Sequence, residues 1–426
     1  LSLGLLLSAH GAVPEASDTR IADIKAMTKE EAASPVHVRV RGAVIQAETD
    51  SFVIHDGSEG LFVEAKLGAV PPFGREVIVE GTTDPGLFAP VIRAERITEL
   101  GWREVAPRVI QQIEELETGA LDCQWVEVEG LLRSAQPASP EEPCYSAYAV
   151  LSSGTARLNL SFSATSFADV RKLVGARVRL RAACGHYFNP HGQVFGARLV
   201  VPRSDEVRVL EPAPTREAVP LARIDSLLRY SPHIPSHDRV HIQGVVTYQR
   251  GRSELYVQQD QRGVYVRHSD QRDLAVGDIV DVVGFVRRGI YSPEIEDAET
   301  ELIGHQGGIT ARPVSPEEAR VADGELVEVS GVLLDHFRGA ETTVLTLKSE
   351  GAPFTAVLPH DPETGALPVS GSLIQLTGVV RTIEAPAIGT PFPWTPSSFE
   401  LRLRTIADIR VLQRPAISLA VWTLGA

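Results

Sequence analysis

Residues 254–268 read ELYVQQDQRGVYVRH: two runs of alternating apolar and polar residues joined by a short polar turn containing Gly263. Period-two alternation sends successive side chains to opposite faces, so the segment reads as a hairpin with one buried face. Residues 51–65, SFVIHDGSEGLFVEA, repeat the pattern around Gly60. Upstream of each hairpin lies an alternating run that closes on glycine, and the chain holds four such runs: VHVRVRG (36–42), WVEVEG (125–130), VHIQG (240–244) and LVEVSG (326–331). Their glycines, Gly42, Gly130, Gly244 and Gly331, are 88, 114 and 87 residues apart, so the second repeat carries an insertion. In the first three repeats a short helical pattern leads into the strand: RIADIKAM (20–27), VIQQIEEL (109–116) and RIDSLLRY (223–230).

Further on, each repeat has a glycine-led strand, GREVIVEG (74–81), GARVRLRAACG (175–185), GDIVDVVG (277–284) or GSLIQLTG (371–378). A last strand follows before a junction, as in RITELGWREVAP (96–107) and SDEVRVLEPAP (204–214). No long amphipathic helix separates the strands, which excludes a doubly wound α/β sheet. A sandwich wants about seven strands per domain, whereas five short ones with glycines at the bends suit a small closed barrel of the oligonucleotide/oligosaccharide-binding (OB) kind. The expected fold is all-β, four tandem five-stranded OB-like barrels with short helices leading into at least the first three. The expected boundaries are a residual signal peptide and leader at 1–19, barrels at 20–104, 105–214, 215–308 and 309–415, and a tail at 416–426.

The net charge of −14 repels polyanions and argues against general nucleic-acid or anionic-membrane binding. The repeat at 223–305 has ten arginines against thirteen acidic residues, so it is no basic groove. The opening LSLGLLLSAHGA has the apolar run and small-residue exit of a signal peptide, without the basic leader. The chain starts at Leu1 and its sole methionine is Met27, so the reading is a clipped signal sequence. The closing SLAVWTLGA is apolar and too short to span a bilayer, and reads either as the start of a truncated membrane helix or as a final strand or frayed tail.

No GxSxG, Walker A, GxGxxG after a strand, HExxH or CxxC motif occurs, so no catalytic residue, cofactor or metal site is assigned. Among the histidines, His186 with His191 and His233 with His237 lie close in loop-like settings, and Asp238 between His237 and His241 is the nearest approach to a metal cluster. Solvated or turn-capping roles fit them better. Cys123, Cys144 and Cys184 all fall in the second repeat. An oxidising compartment leaves three pairings open. Because Cys123 opens the first strand and Cys184 closes the fourth, and those strands are antiparallel neighbours in an OB barrel, Cys123–Cys184 is the expected bridge, with buried free thiols the alternative.

Alternation in the hairpin at 254–268 sends Leu255, Val257, Val264 and Val266 inward and Tyr256, Gln258, Tyr265 and Arg267 outward. In the first repeat Phe52 is placed at the Tyr256 position and Phe62 at the Tyr265 position. Two aromatics on the second and third strands make the face on which OB barrels stack bases or sugars, with Arg250 and Arg252 in the neighbouring loop to meet phosphate or carboxylate. The same rings suit covering the barrel or burial at a junction between tandem barrels, which is the preferred reading.

The succession from Gly244 to Val286, GVVTYQRGRSELYVQQDQRGVYVRHSDQRDLAVGDIVDVVGFV, with RAACGHYFNPHGQVFGARLVVPRSDEVRVLEPAP (181–214), resembles the periplasmic sensor region of bacterial membrane-bound sensor histidine kinases with tandem OB-like repeats. The resemblance spans most of residues 20–415 and rests on structural glycines and strand patterns. It implies a sensor input region, and the ligand is not carried over with it. The expected function is a non-catalytic extracytoplasmic region, membrane-anchored through a helix outside this chain, that binds a small molecule, glycan or partner protein, with a homodimer among the expected partners. A kinase output domain would lie beyond Ala426. Alternative readings are an oligonucleotide-binding accessory module of an exported nuclease and a structural spacer.

Overall fold

The computed structural model describes residues 18–66, 68, 70–154, 156–229, 239–251, 254–268, 273–289, 291–307, 309–350, 352–360, 366–384 and 396–415. The signal-like opening, the apolar close, His233, His237, Asp238 and Arg252 lie outside them. The chain divides into two compact units, Leu1–Ala213 and Pro214–Ala426.

In the first unit, strands His37–Ala47, Ser51–His55, Gly60–Glu64, Arg75–Asp84 and Val91–Trp102 close a barrel in the order one, two, three, five, four. The first strand is antiparallel to the second and fourth, and the third runs parallel to the fifth. That closure is the OB arrangement. Strands Trp125–Pro137, Ala147–Ser153, Ala156–Phe162, Arg177–Phe188 and Val194–Val201 build the second barrel in the same order. Two edge strands extend it: Arg108–Val109 beside the first strand and Val207–Glu211 beside the fourth.

The second unit repeats this pair. Its first barrel is Arg239–Arg250, Glu254–Gln259, Arg262–His268, Asp278–Arg288 and Pro293–His305. Its second is Leu326–Arg338, Thr342–Ser349, Ala352–Pro359, Leu373–Glu384 and Pro396–Arg402. Edge strands Arg312–Pro313 and Ile409–Gln413 take the same places as their counterparts in the first unit. The chain is therefore four OB-type barrels arranged as a doubled pair.

The four glycines do not end their strands, as the sequence reading had it; each strand runs on through its glycine and changes neighbour there. Ala43, Leu131, Val245 and Val332, each one residue past its glycine, pair with the fourth strand on one side and the second on the other. A strand serving two neighbours must coil sharply, and a side chain at the bend would meet the second strand: a Cβ on Gly244 would lie 2.7 Å from the Gln258 carbonyl oxygen.

Each barrel closes over its own apolar core, and the leads plug the ends. Ile21 and Ile24 of the helix Ile21–Lys25 fill the first barrel, and Ile224 and Leu227 the third. Ile113 and Leu116 of a 3-10 turn fill the second. The fourth has a lead too, the helix Pro316–Ala319, capped by Ser315 and Glu318 and burying Ala319.

Candidate binding clefts at the barrel junctions

Within each unit the two barrels meet through the face that OB barrels commonly keep for ligands. In the first unit Ala43, Ile45 and Val53 of the first barrel pack with Val105, Trp125, Ala183 and Val200 in one apolar cluster. In the second, Tyr248 and Tyr256 pack with Leu326 and Val379. Tyr256 is only 5% exposed. Its ring lies edge-on to Tyr248 at 5.9 Å and tilted against Tyr265 at 5.3 Å. The tyrosines do not form an open stacking platform; the next barrel covers Tyr256, while Tyr265 stays half-buried beside it. Burying aromatic rings here contributes apolar area that a polar ligand face could not.

The contact is set by one glycine in each unit. A Cβ on Gly60 would lie 1.7 Å from the Cys123 carbonyl oxygen, and one on Gly263 1.8 Å from that of Gly324. Backbone therefore rests on backbone at the tip of the hairpin. Cys123 (φ 65°) and Gly324 (φ 78°) both take the left-handed conformation that turns the carbonyl toward the hairpin. Polar ties flank these points. Gln124 Nε2 donates to Glu59 at 2.6 Å, and His55 shares a 3.2 Å bond with Gln124. In the second unit Arg262 donates to Glu325 at 2.8 Å, and the Leu326 N–H donates to Gln258 Oε1 at 2.8 Å.

Beside each contact a cleft remains. In the second unit it has a volume of about 150 Å³. The third barrel contributes Tyr256, Tyr265, Arg267, Arg287, Glu254 and Glu294; the fourth contributes Asp323, Arg381 and Thr382. Three guanidinium groups and three carboxylates thus face one small space, with Arg287 donating to Glu294 at 2.5 Å and Arg267 lying 3.7 Å from Glu296. Burial raises the pKa of Asp323 against the hydroxyl of Ser292 and the 2.8 Å N–H of Thr382, which both donate to it. A hydrogen bond with Tyr265, beside the Glu296 and Glu294 carboxylates, holds Arg267 charged. Such a site suits a ligand that carries both signs of charge.

The corresponding cleft in the first unit has a volume of about 240 Å³, with Val53, Phe62, Phe88, Phe188 and Leu87 in its walls and Cys123, Cys184, Asp122 and His186 in its base. His186 sits within the fourth strand with a fully buried side chain, a correction to its loop assignment. Its Nδ1 faces Asp122 at 2.9 Å and its Nε2 the Leu116 carbonyl at 2.6 Å. Burial opposes the charge, but both nitrogens face acceptors, so the imidazolium is favoured and the pKa is raised. Cys123 and Cys184 are joined through the backbone, Cys123 N–H to Cys184 carbonyl at 2.9 Å, yet the structure carries both, and Cys144, as free thiols. Burial pushes the Cys184 thiol up to about 12.

The other sequence-selected residues are dispersed. Phe52 is not the counterpart of Tyr256: the hairpin pairs Val53 with Phe62 as it pairs Tyr256 with Tyr265, so Phe52 points into the barrel core. Arg250 forms a 3.2 Å ion pair with Glu341, and Gln258 is spent on the fourth barrel's backbone. Sequence reasoning missed Asp122 and Asp323. The signal was there: DCQWVEVEG and DGELVEVSG place an aspartate at the same point before the strand. Among the described residues no group of His, Cys, Asp and Glu is placed to hold a metal ion, and no helix is long and apolar enough to cross a membrane.

No known protein family and no curated protein matches the chain. Among solved structures, the hypothetical protein ygiW from E. coli is 20% identical, covering 20% of this chain and 94% of its own, with a TM-score of 0.17. A replication protein A heterotrimer bound to ssDNA is 8% identical over 71% of this chain and 96% of its own, with a TM-score of 0.24. A murine DNA-binding protein bound with ds DNA is 6% identical over 41% of this chain and 98% of its own, also with a TM-score of 0.24.

Proposed function

We propose that this chain is a non-catalytic ligand-binding protein in which a small zwitterionic molecule, of the α-amino acid class, binds at the junction of the third and fourth barrels. The observation that carries this reading is the charge-balanced cleft of Arg267, Arg287 and Arg381 with Glu254, Glu294 and Asp323, walled by Tyr256 and Tyr265. A carboxylate meets the guanidinium groups, an ammonium meets the carboxylates, and the Tyr265 ring covers the ligand body. Because the two barrels each supply part of the cleft, occupancy favours the docked pair by an amount that grows with the logarithm of ligand concentration over Kd. That makes the junction suited to relaying a signal. The leader-like LSLGLLLSAHGA and apolar SLAVWTLGA support placing it outside the cytoplasm as the membrane-anchored input region of a signalling protein, with a sensor kinase as the proposed whole.

The test is calorimetric titration of the full chain with L-serine, maltotriose and oligo(dT), at two salt concentrations. L-serine binding that weakens about tenfold or more, ~1.4 kcal/mol, in Tyr265→Ala and Arg381→Met supports the reading. No binding of L-serine, or oligo(dT) binding that falls steeply with salt, overturns it.

A further inference from the structure

The two clefts occupy the same place in the doubled pair, and their linings can be compared position by position. Val53 paired with Phe62 stands where Tyr256 is paired with Tyr265. Trp125 paired with Ala183 stands where Leu326 is paired with Val379, which sets Asp122, Gly185 and His186 against Asp323, Arg381 and Thr382. Asp84 paired with Val91 stands where Arg287 is paired with Glu294. The shared aspartate remains, but the first cleft has valine for Tyr256 and for Glu294, and glycine for Arg381. Phe88 and Phe188 are added, stacked at 4.7 Å with their planes 17° apart.

The charges that remain around the first cleft are spoken for. Asp122 is bonded to His186, Arg198 pairs with Glu48 at 3.1 Å, and Glu64 pairs with Arg93 at 3.6 Å. An uncharged ligand disturbs none of these pairs, and the first cleft lacks the Arg381 that the second adds to its own paired charges, such as Arg287 with Glu294. The apolar walls offer three phenylalanine rings, Phe62, Phe88 and Phe188. The volume of about 240 Å³ exceeds the roughly 150 Å³ of an apolar cavity that admits benzene.

We propose that the first unit carries a second ligand site, at the junction of the first and second barrels, and that it takes a small uncharged aromatic molecule. The two halves of the chain then read different ligand classes with one architecture. The inference borrows from the reading above only the idea that the junction cleft is the binding place; its lining argument is separate.

The test titrates the full chain with benzyl alcohol and, separately, with L-serine. The discriminating variant is Gly185→Val. A Cβ at Gly185 finds its nearest neighbours at ordinary contact, Arg198 Nε at 3.6 Å and Cγ at 3.7 Å, and Gly185 has no left-handed backbone, so the barrel accepts the side chain while the cleft is filled. Benzyl alcohol is expected to bind the wild type, to bind Gly185→Val at least tenfold more weakly, and to be untouched by Tyr265→Ala. Phe188→Ala, which opens the same wall from a half-buried position, is expected to weaken it as well. Absence of benzyl alcohol binding, or binding indifferent to Gly185→Val and Phe188→Ala, overturns the inference. L-serine binding with no benzyl alcohol binding removes this inference alone, and the converse removes only the zwitterion reading.

Discussion

Replacing Gly263 with alanine separates what holds a barrel together from what joins two. The added Cβ would lie 1.8 Å from the Gly324 carbonyl oxygen and 2.4 Å from its carbon. Both are backbone atoms, so no side chain can swing aside. Gly263 has no left-handed backbone, so alanine is free of strain within the third barrel itself. Restoring normal contact moves the fourth barrel back by more than an ångström. The move loosens Tyr256, Leu326 and Val379, at 5%, 1% and 0% exposure. Overpacking of this kind destabilises by about 1–3 kcal/mol and partial exposure of three apolar side chains adds to it, so ~2–4 kcal/mol is expected. For a unit of this size that lowers its melting temperature by roughly 4–16 °C. Differential scanning calorimetry of the full chain reads it, with Gly307→Ala as the control because a Cβ there meets nothing within 4 Å. A Gly263→Ala protein that melts with the wild type would refute the junction geometry.

Phe52→Ala should destabilise the first barrel by about 3–5 kcal/mol as a core cavity, while Phe62→Ala, half-buried at the junction, should cost less than about 2 in chemical denaturation; equal losses would contradict the register. His186 has its pKa raised from 6.5, so its contribution is fully present below that value and is lost as pH rises through the raised one. The thermal stability of the first unit should therefore fall as pH climbs above 6.5, and His186→Gln should flatten that slope; an unchanged slope refutes the charged pairing of His186. With Cys184 pushed up to about 12 and Cys123 also raised, iodoacetamide should label Cys144 first and the other two only on unfolding. Mass spectrometry that finds rapid labelling of Cys123 in the folded chain contradicts their burial.

The barrels were legible because each rests on a period-two pattern and a bend glycine, both local properties of the chain. The hairpin alternation also assigned the inward faces correctly at 254–268, where the turn is short. At 51–65 the longer turn, Asp56 to Glu59, let Phe52 be counted onto the wrong face by one residue, and a slip of one exchanges inside for outside. What the outward tyrosines touch was not readable, since it depends on Leu326 and Val379 of the next barrel, remote in sequence. The clefts lay beyond reach for the same reason: Asp323 and Arg381 meet Tyr265 only through docking. The aspartate shared by DCQWVEVEG and DGELVEVSG was the one local trace of them.

The most direct test of the central claim is titration of L-serine and benzyl alcohol into the Gly263→Ala chain. If the junction clefts are the binding sites, parting the third and fourth barrels abolishes L-serine binding and leaves benzyl alcohol binding at its wild-type strength. L-serine binding that survives Gly263→Ala unchanged would place its site elsewhere and contradict the account.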